Sequence, residues 1–182
     1  MDDDVNGVPI EPFDVEKRDG YSFAWNEIVG HTGVGLGGFA FIFGEKEDFA
    51  GIWFNTRHLG LRRLSYYAVK EAYAGGPSTD NLPPEVTGMT ISPASNVPAG
   101  STVTVTVSVT DPEGDPLSYT LKQGSKYVNG GDAIASASFV QTGPGVFDLT
   151  APNTVGAWQI YVYVTDGQGN VGIETRSLGV VP

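Results

Sequence analysis

Between Gly100 and Tyr119 apolar and hydroxyl side chains take turns. Val103, Val105, Val107 and Val109 alternate with Thr102, Thr104, Thr106, Ser108 and Thr110. A period of two sends the valines to one face of a strand and the hydroxyls to the other. β-Branched residues suit such a pleated, half-buried surface. The strand stops at Asp111-Pro112-Glu113-Gly114-Asp115-Pro116, because proline cannot donate to a ladder and Asp, Pro and Gly favour turns. Alternation resumes at Leu117-Ser118-Tyr119-Thr120-Leu121. The same reasoning predicts strands over 86–92, 101–110, 117–123, 133–140, 145–150, 157–165 and 171–180. In 157–165, Trp158, Ile160, Val162 and Val164 would face a core, while Gln159, Tyr161 and Tyr163 would face out. Short strands at regular spacing, separated by turns such as Asp166-Gly167-Gln168-Gly169-Asn170, predict an all-β immunoglobulin-like sandwich over 85–182.

Upstream the period changes. Val15–His31 reads as a helix, with Phe23 and Ile28 on an apolar stripe and Gly30 as terminator. Phe39-Ala40-Phe41-Ile42-Phe43 is a continuous apolar run, the pattern of a strand covered on both faces. The preceding Gly33-Val34-Gly35-Leu36-Gly37-Gly38 matches G-x-G-x-x-G by letter. A dinucleotide fingerprint, however, follows a strand and opens a helix, and here the glycines come first. Arg62–Ala74 has helical spacing and ends at Gly75-Gly76. Pro77–Pro84 has the composition of a linker. The expected fold class is therefore an α+β chain in two parts: a short α/β segment over 1–76, a linker over 77–84, and the sandwich over 85–182.

Composition narrows the functions. A net charge of −11 argues against nucleic acid as a partner, since phosphate binding needs clustered Lys and Arg. The absence of cysteine excludes disulfides and thiolate zinc sites. No apolar run approaches the roughly 20 residues of a membrane-spanning helix. Met1 is followed by three aspartates, the opposite of a basic signal-peptide start.

Few residues suggest chemistry. Glu45 and Glu47 follow the apolar run; paired carboxylates there could act as acid and base on a glycosidic bond. Trp53 and Phe54 could stack on a sugar ring, as could Tyr161 and Tyr163 on the outward face of their strand. Asp111, Glu113, Asp115 and Asp166 lie in two turns at one end of the expected sandwich and are candidates for Ca²⁺, which takes oxygen ligands. His31 and His58 stand too far apart for a metal motif, and no G-x-S-x-G elbow is present.

The segments GLGGFAFIFGEKEDFAGIWF (35–54) and RRLSYYAVKEAYAGG (62–76) resemble the end of the (β/α)8 barrel in bacterial glycoside hydrolases. VTDPEGDPLSY (109–119) and YVYVTDGQGN (161–170) resemble the Ig-like or cadherin-like domain appended to secreted carbohydrate-active enzymes. The resemblance implies the last unit of a TIM-type barrel followed by an accessory domain. The catalytic carboxylates of such barrels lie on earlier strands, so it implies a non-catalytic C-terminal portion of a polysaccharide-degrading enzyme. It further implies a polysaccharide or oligosaccharide partner, self-association through the incomplete barrel, no cofactor beyond Ca²⁺, and an extracellular or periplasmic location with the signal peptide outside this chain. A stand-alone carbohydrate-binding or adhesive module, and a small glycosidase using Glu45 and Glu47, are the alternatives.

Overall fold

The computed structural model describes residues 3–40, 55–131 and 134–182. Helix α1 spans Asp14–Gly30; its entry is tied by Glu16, whose carboxylate accepts the Phe13 N–H at 2.7 Å. Strands β1 (Arg57–His58) and β2 (Leu61–Arg62) form a short antiparallel ribbon. Helix α2 covers Leu64–Ala74. Gly75 ends it in the left-handed region (φ 74°), where its N–H reaches the Glu71 carbonyl.

The remaining elements are mainly strands: β3 (Glu85–Ser92), β4 (Val97–Pro98), β5 (Thr102–Thr110) and β6 (Ser118–Gly124). A single helical turn α3 (Lys126–Asn129) follows, then β7 (Ile134–Ser136), β8 (Phe139–Gly143), β9 (Val146–Thr150), β10 (Gly156–Thr165) and β11 (Val171–Val181). They make a four-stranded sheet of order β3-β5-β9-β8 and a five-stranded sheet of order β4-β11-β10-β6-β7. The second sheet is mixed, because β4 runs parallel to β11.

The alternating residues meet between these sheets. Val103, Val105 and Val107 of β5 pack with Phe147 and Leu149 of β9, and with Leu121, Ile160, Val162 and Leu178 from the facing sheet. Apolar area removed from water stabilises this layer at about 25 cal/mol per Å². Gly172 permits a close approach on β11: a Cβ there would lie 2.5 Å from the Pro84 carbonyl oxygen.

The expected fold class is overturned. The described part of 1–76 contains no parallel strand–helix unit; its only strands are the antiparallel β1 and β2. Phe39 and Ala40 are not in a strand, and Phe39 is fully exposed. Residues 41–43, the rest of that run, lie outside the described residues. The second half is not an all-β immunoglobulin-like sandwich either, since it has a mixed sheet and a helical turn, and α1 lies against β3 and β11. Mixed sheets bearing helices replace the barrel end plus all-β domain. The physical reason is that α1 uses polar side chains to dock on strand ends and edges, where a barrel helix would use an apolar stripe.

Candidate functional site

Two places concentrate polar side chains. The first joins the turn after β5 to the turn after β10. Asp111, Glu113 and Asp115 bring carboxylate oxygens within 4.8 Å of one another. Asp111 Oδ1 accepts the N–H groups of Glu113 (3.2 Å) and Asp115 (2.8 Å), while its Oδ2 is buried with no bond among the described residues. Asp166 stands apart from this trio. Its Oδ1 accepts the N–H groups of Gln168 and Asn170, and its Oδ2 accepts Asn170 Nδ2 at 2.6 Å. The turns are stitched together by Asn81. Its Nδ2 donates to Asp115 at 2.5 Å, and its Oδ1 accepts Asn170 Nδ2 at 2.8 Å. Tyr67 of α2 adds its hydroxyl to Asn170 Oδ1 at 2.9 Å. The segment with linker composition is thus bonded to both turns.

The second place is the seam between the N-terminal elements and β10–β11. Asp14 is fully buried at the start of α1 and binds the Arg63 guanidinium, itself fully buried before α2. Asp14 Oδ2 also accepts the Ile173 N–H at 3.1 Å, on a stretch of the β11 edge where no strand among the described residues pairs. Lys17, one helical turn on, sits 3.6 Å from Asp14 Oδ1. Burial works to raise the Asp14 pKa, but Arg63, Lys17 and the Ile173 amide outweigh it and hold the carboxyl below its usual range. Burial and the Arg63 charge together lower Lys17. Glu174 Oε1 accepts the Thr175 N–H at 3.0 Å and Arg176 Nη1 at 3.1 Å, and Oε2 has no bond among the described residues. Burial pushes Glu174 up to about 8. Glu11 is raised by burial, against the pull of Lys17, and accepts Gln159 Nε2 at 2.9 Å.

The sugar-stacking role expected of Tyr161 and Tyr163 meets a different placement. Both project to the face opposite the inter-sheet core, as their parity requires, but they are 1% and 5% exposed. Leu61, Ile134 and Ile173 pack on them, the His58 ring lies 5.2 Å from Tyr163, and Lys122 Nζ sits 4.6 Å above that ring. Burial raises both phenols far above the usual value. The correction follows from the N-terminal elements, which occupy the face that alternation alone leaves wet. Glu45, Glu47, Trp53 and Phe54 lie outside the described residues. Sequence reasoning missed Glu11, Asp14 and Glu174; alternation predicts Gln159 on the outward face, where it lies, but not as buried. The available signal was the pairing of acids and bases on two short helices beside a β protein.

No family model and no curated protein matches the chain. Among solved structures it is similar to a nucleoside hydrolase-related hypothetical protein from Saccharophagus degradans, described as associated with carbohydrate metabolism. The identity is 15% and the TM-score 0.41, over 70% of this chain and 34% of that one. The chain therefore spans about a third of that protein's length. Among the described residues, no helix is long and apolar enough to cross a membrane.

Proposed function

We propose that the chain is a non-catalytic accessory part of an exported polysaccharide-degrading glycoside hydrolase, serving to support the catalytic body. One observation carries this reading. Beyond its first turn α1 is not buried, and the loop after it carries exposed apolar side chains: Val34 is 84% exposed, and Leu36 and Phe39 fully exposed. Exposed apolar surface of this kind marks contact with another body. Phe39 also lines an apolar cleft of about 140 Å³ between α1 and α2, where Trp25 meets Tyr73 edge-on at 5.3 Å. In this reading the sheets hold the helices through the buried seam, and the loop and cleft hold the enzyme.

The test is a reducing-sugar assay of the chain alone, with affinity electrophoresis, on β-glucans, xylan and agar. No hydrolysis is expected. Hydrolysis by the chain alone overturns the accessory reading in favour of a small glycosidase, and unretarded migration on every polymer removes direct glycan contact. Ca²⁺ at the Asp111–Glu113–Asp115 turn is proposed on the buried, unbonded Asp111 Oδ2. Calorimetric titration should give heat at millimolar Ca²⁺, diminished in Asp111→Asn; a flat trace removes the ion.

A further inference from the structure

A cavity of about 290 Å³ lies where the N-terminal segment crosses the outer face of β10 and β11. That volume is near the lower end of the range for small-molecule sites, roughly 300 Å³. Its floor is polar and buried: Gln159 is 2% exposed, and Thr175 and Ser177 are each 6%. Gln159 and Ser177 are register partners, and Thr175 pairs with Tyr161. The opposite wall is Val8, Pro9 and Ile10, followed by Glu11.

The wall is built in advance. Asp4 Oδ1 accepts the N–H groups of Asn6 (2.9 Å) and Val8 (3.1 Å), and Asp4 N–H donates to the Val8 carbonyl. Asn6 Nδ2 fastens the turn to the sheet through Ser177 Oγ (2.6 Å) and the Ala94 carbonyl (3.0 Å). Arg176 closes one side, its guanidinium 4.4 Å from the Phe13 ring centroid.

Hydrogen-bonding capacity on this floor is unspent. Thr175 Oγ1 is buried and has no partner among the described residues. Ser177 Oγ accepts from Asn6, which leaves its proton to donate. Glu11 Oε1 and Gln159 Nε2 bond each other, and the Gln159 carbonyl accepts the Tyr161 hydroxyl at 2.9 Å. The amide keeps a second N–H and the carboxyl a second oxygen. A buried hydroxyl without a partner costs free energy that a ligand hydroxyl would recover.

The lining selects a chemistry. Glu11 and Asp4 face the single guanidinium of Arg176, so a phosphate or carboxylate meets more repulsion than attraction. A hydrocarbon would strand the floor hydroxyls. A ring with hydroxyls around its edge and C–H groups on its face satisfies both the floor and the Val8–Ile10 wall. We propose that this cavity binds one neutral pyranose unit, either a free monosaccharide or the end residue of a glycan. The proposal rests on the carbohydrate reading above and gives it a site.

The test is amide NMR of the full chain titrated with D-glucose, D-xylose and D-galactose, and separately with cello- and xylo-hexaose, each to tens of millimolar. Shifts are expected at Val8, Ile10, Glu11, Thr175 and Ser177. Saturation by a monosaccharide assigns a free sugar, and saturation by the hexaose alone assigns a chain end. Thr175→Val should weaken binding about tenfold, the equivalent of about 1.4 kcal/mol lost from one hydrogen bond. It should leave the unliganded fold at least as stable, because it removes an unpaired hydroxyl. Ser177→Ala is the second variant, and inorganic phosphate the control that should shift nothing. Absence of sugar-induced shifts at these amides, or undiminished affinity in both variants, overturns the site. Polymer retention without these shifts overturns the cavity alone. Shifts without retention keep the cavity and remove only polymer contact.

Discussion

The space between the two sheets and the seam beneath the N-terminal helices are both buried, yet they are built from opposite materials. Between the sheets, Val103, Val105, Leu121, Phe147, Leu149, Ile160 and Val162 are almost without exposure and carry no polar side-chain atom. At the seam, Glu11, Asp14, Lys17, Arg63 and Glu174 gather ionisable groups in a region nearly as dry. In the apolar layer a truncation loses the contacts of the atoms removed and leaves no charge behind. In the seam each charge depends on its partner, because an ion left alone in a dry site costs several kcal/mol. Cohesion therefore belongs to the first region, and orientation of the helices to the second.

The comparison can be broken most forcefully at Phe147, which is fully buried and meets Tyr119 and Phe139 at ring-centroid distances of 5.3 and 5.8 Å. Phe147→Ala should cost about 4 kcal/mol in urea unfolding. A cost below about 1 kcal/mol would show that the inter-sheet layer is not the main source of stability. Next, Asp14→Ala should cost about 3 kcal/mol, because it removes at once the carboxylate that Arg63 and Lys17 pair with and the acceptor of the Ile173 N–H. A cost below about 1 kcal/mol would show that the seam does not depend on this carboxylate.

A graded, pH-dependent effect belongs to Glu174. Its folded pKa of about 8 lies above the ordinary 4.5. The native state therefore favours the protonated form, and the stability this gives is fully present below about 4.5 and lost as pH rises toward 8. Unfolding free energy should fall by about 1 kcal/mol per pH unit across that window, and Glu174→Gln should flatten the slope. An unchanged slope would place the titration elsewhere. Smallest of all, Arg18→Ala removes the ion pair to Glu85, in which both side chains are about a third exposed or less. A loss under about 1 kcal/mol is expected by the same unfolding measurement.

Much of the strand layout is legible in the chain because β5 and β10 alternate with a strict period of two, and Pro and Gly mark their ends. The run 133–140 hides a break, for the ladder stops after Ser136 and restarts at Phe139. The edge strand β4 is invisible, since two residues have no period. Helix α2 is legible from Gly75, whereas α1 runs through Gly30 and is capped by His31 outside the left-handed region, and what either helix packs against is not legible. Alternation predicts that Tyr161 and Tyr163 leave the core, which they do. It cannot say that β1 and β2 will cover them, because such contacts join residues about a hundred positions apart. For the same reason the acids and bases of the seam look like ordinary surface charges until the fold brings them together.

The bond from the Ile173 amide to Asp14 has a consequence outside the monomer. Among the described residues no strand pairs with the outer flank of β11 at Ile173–Thr175, and an open flank of that kind is a template for another chain's backbone. Asp14 and the curled carboxylate of Glu174 occupy its amides one by one. Seen this way, the first turn of α1 is a guard against polymerisation, and a variant that loosens it should grow fibrils as its stability falls.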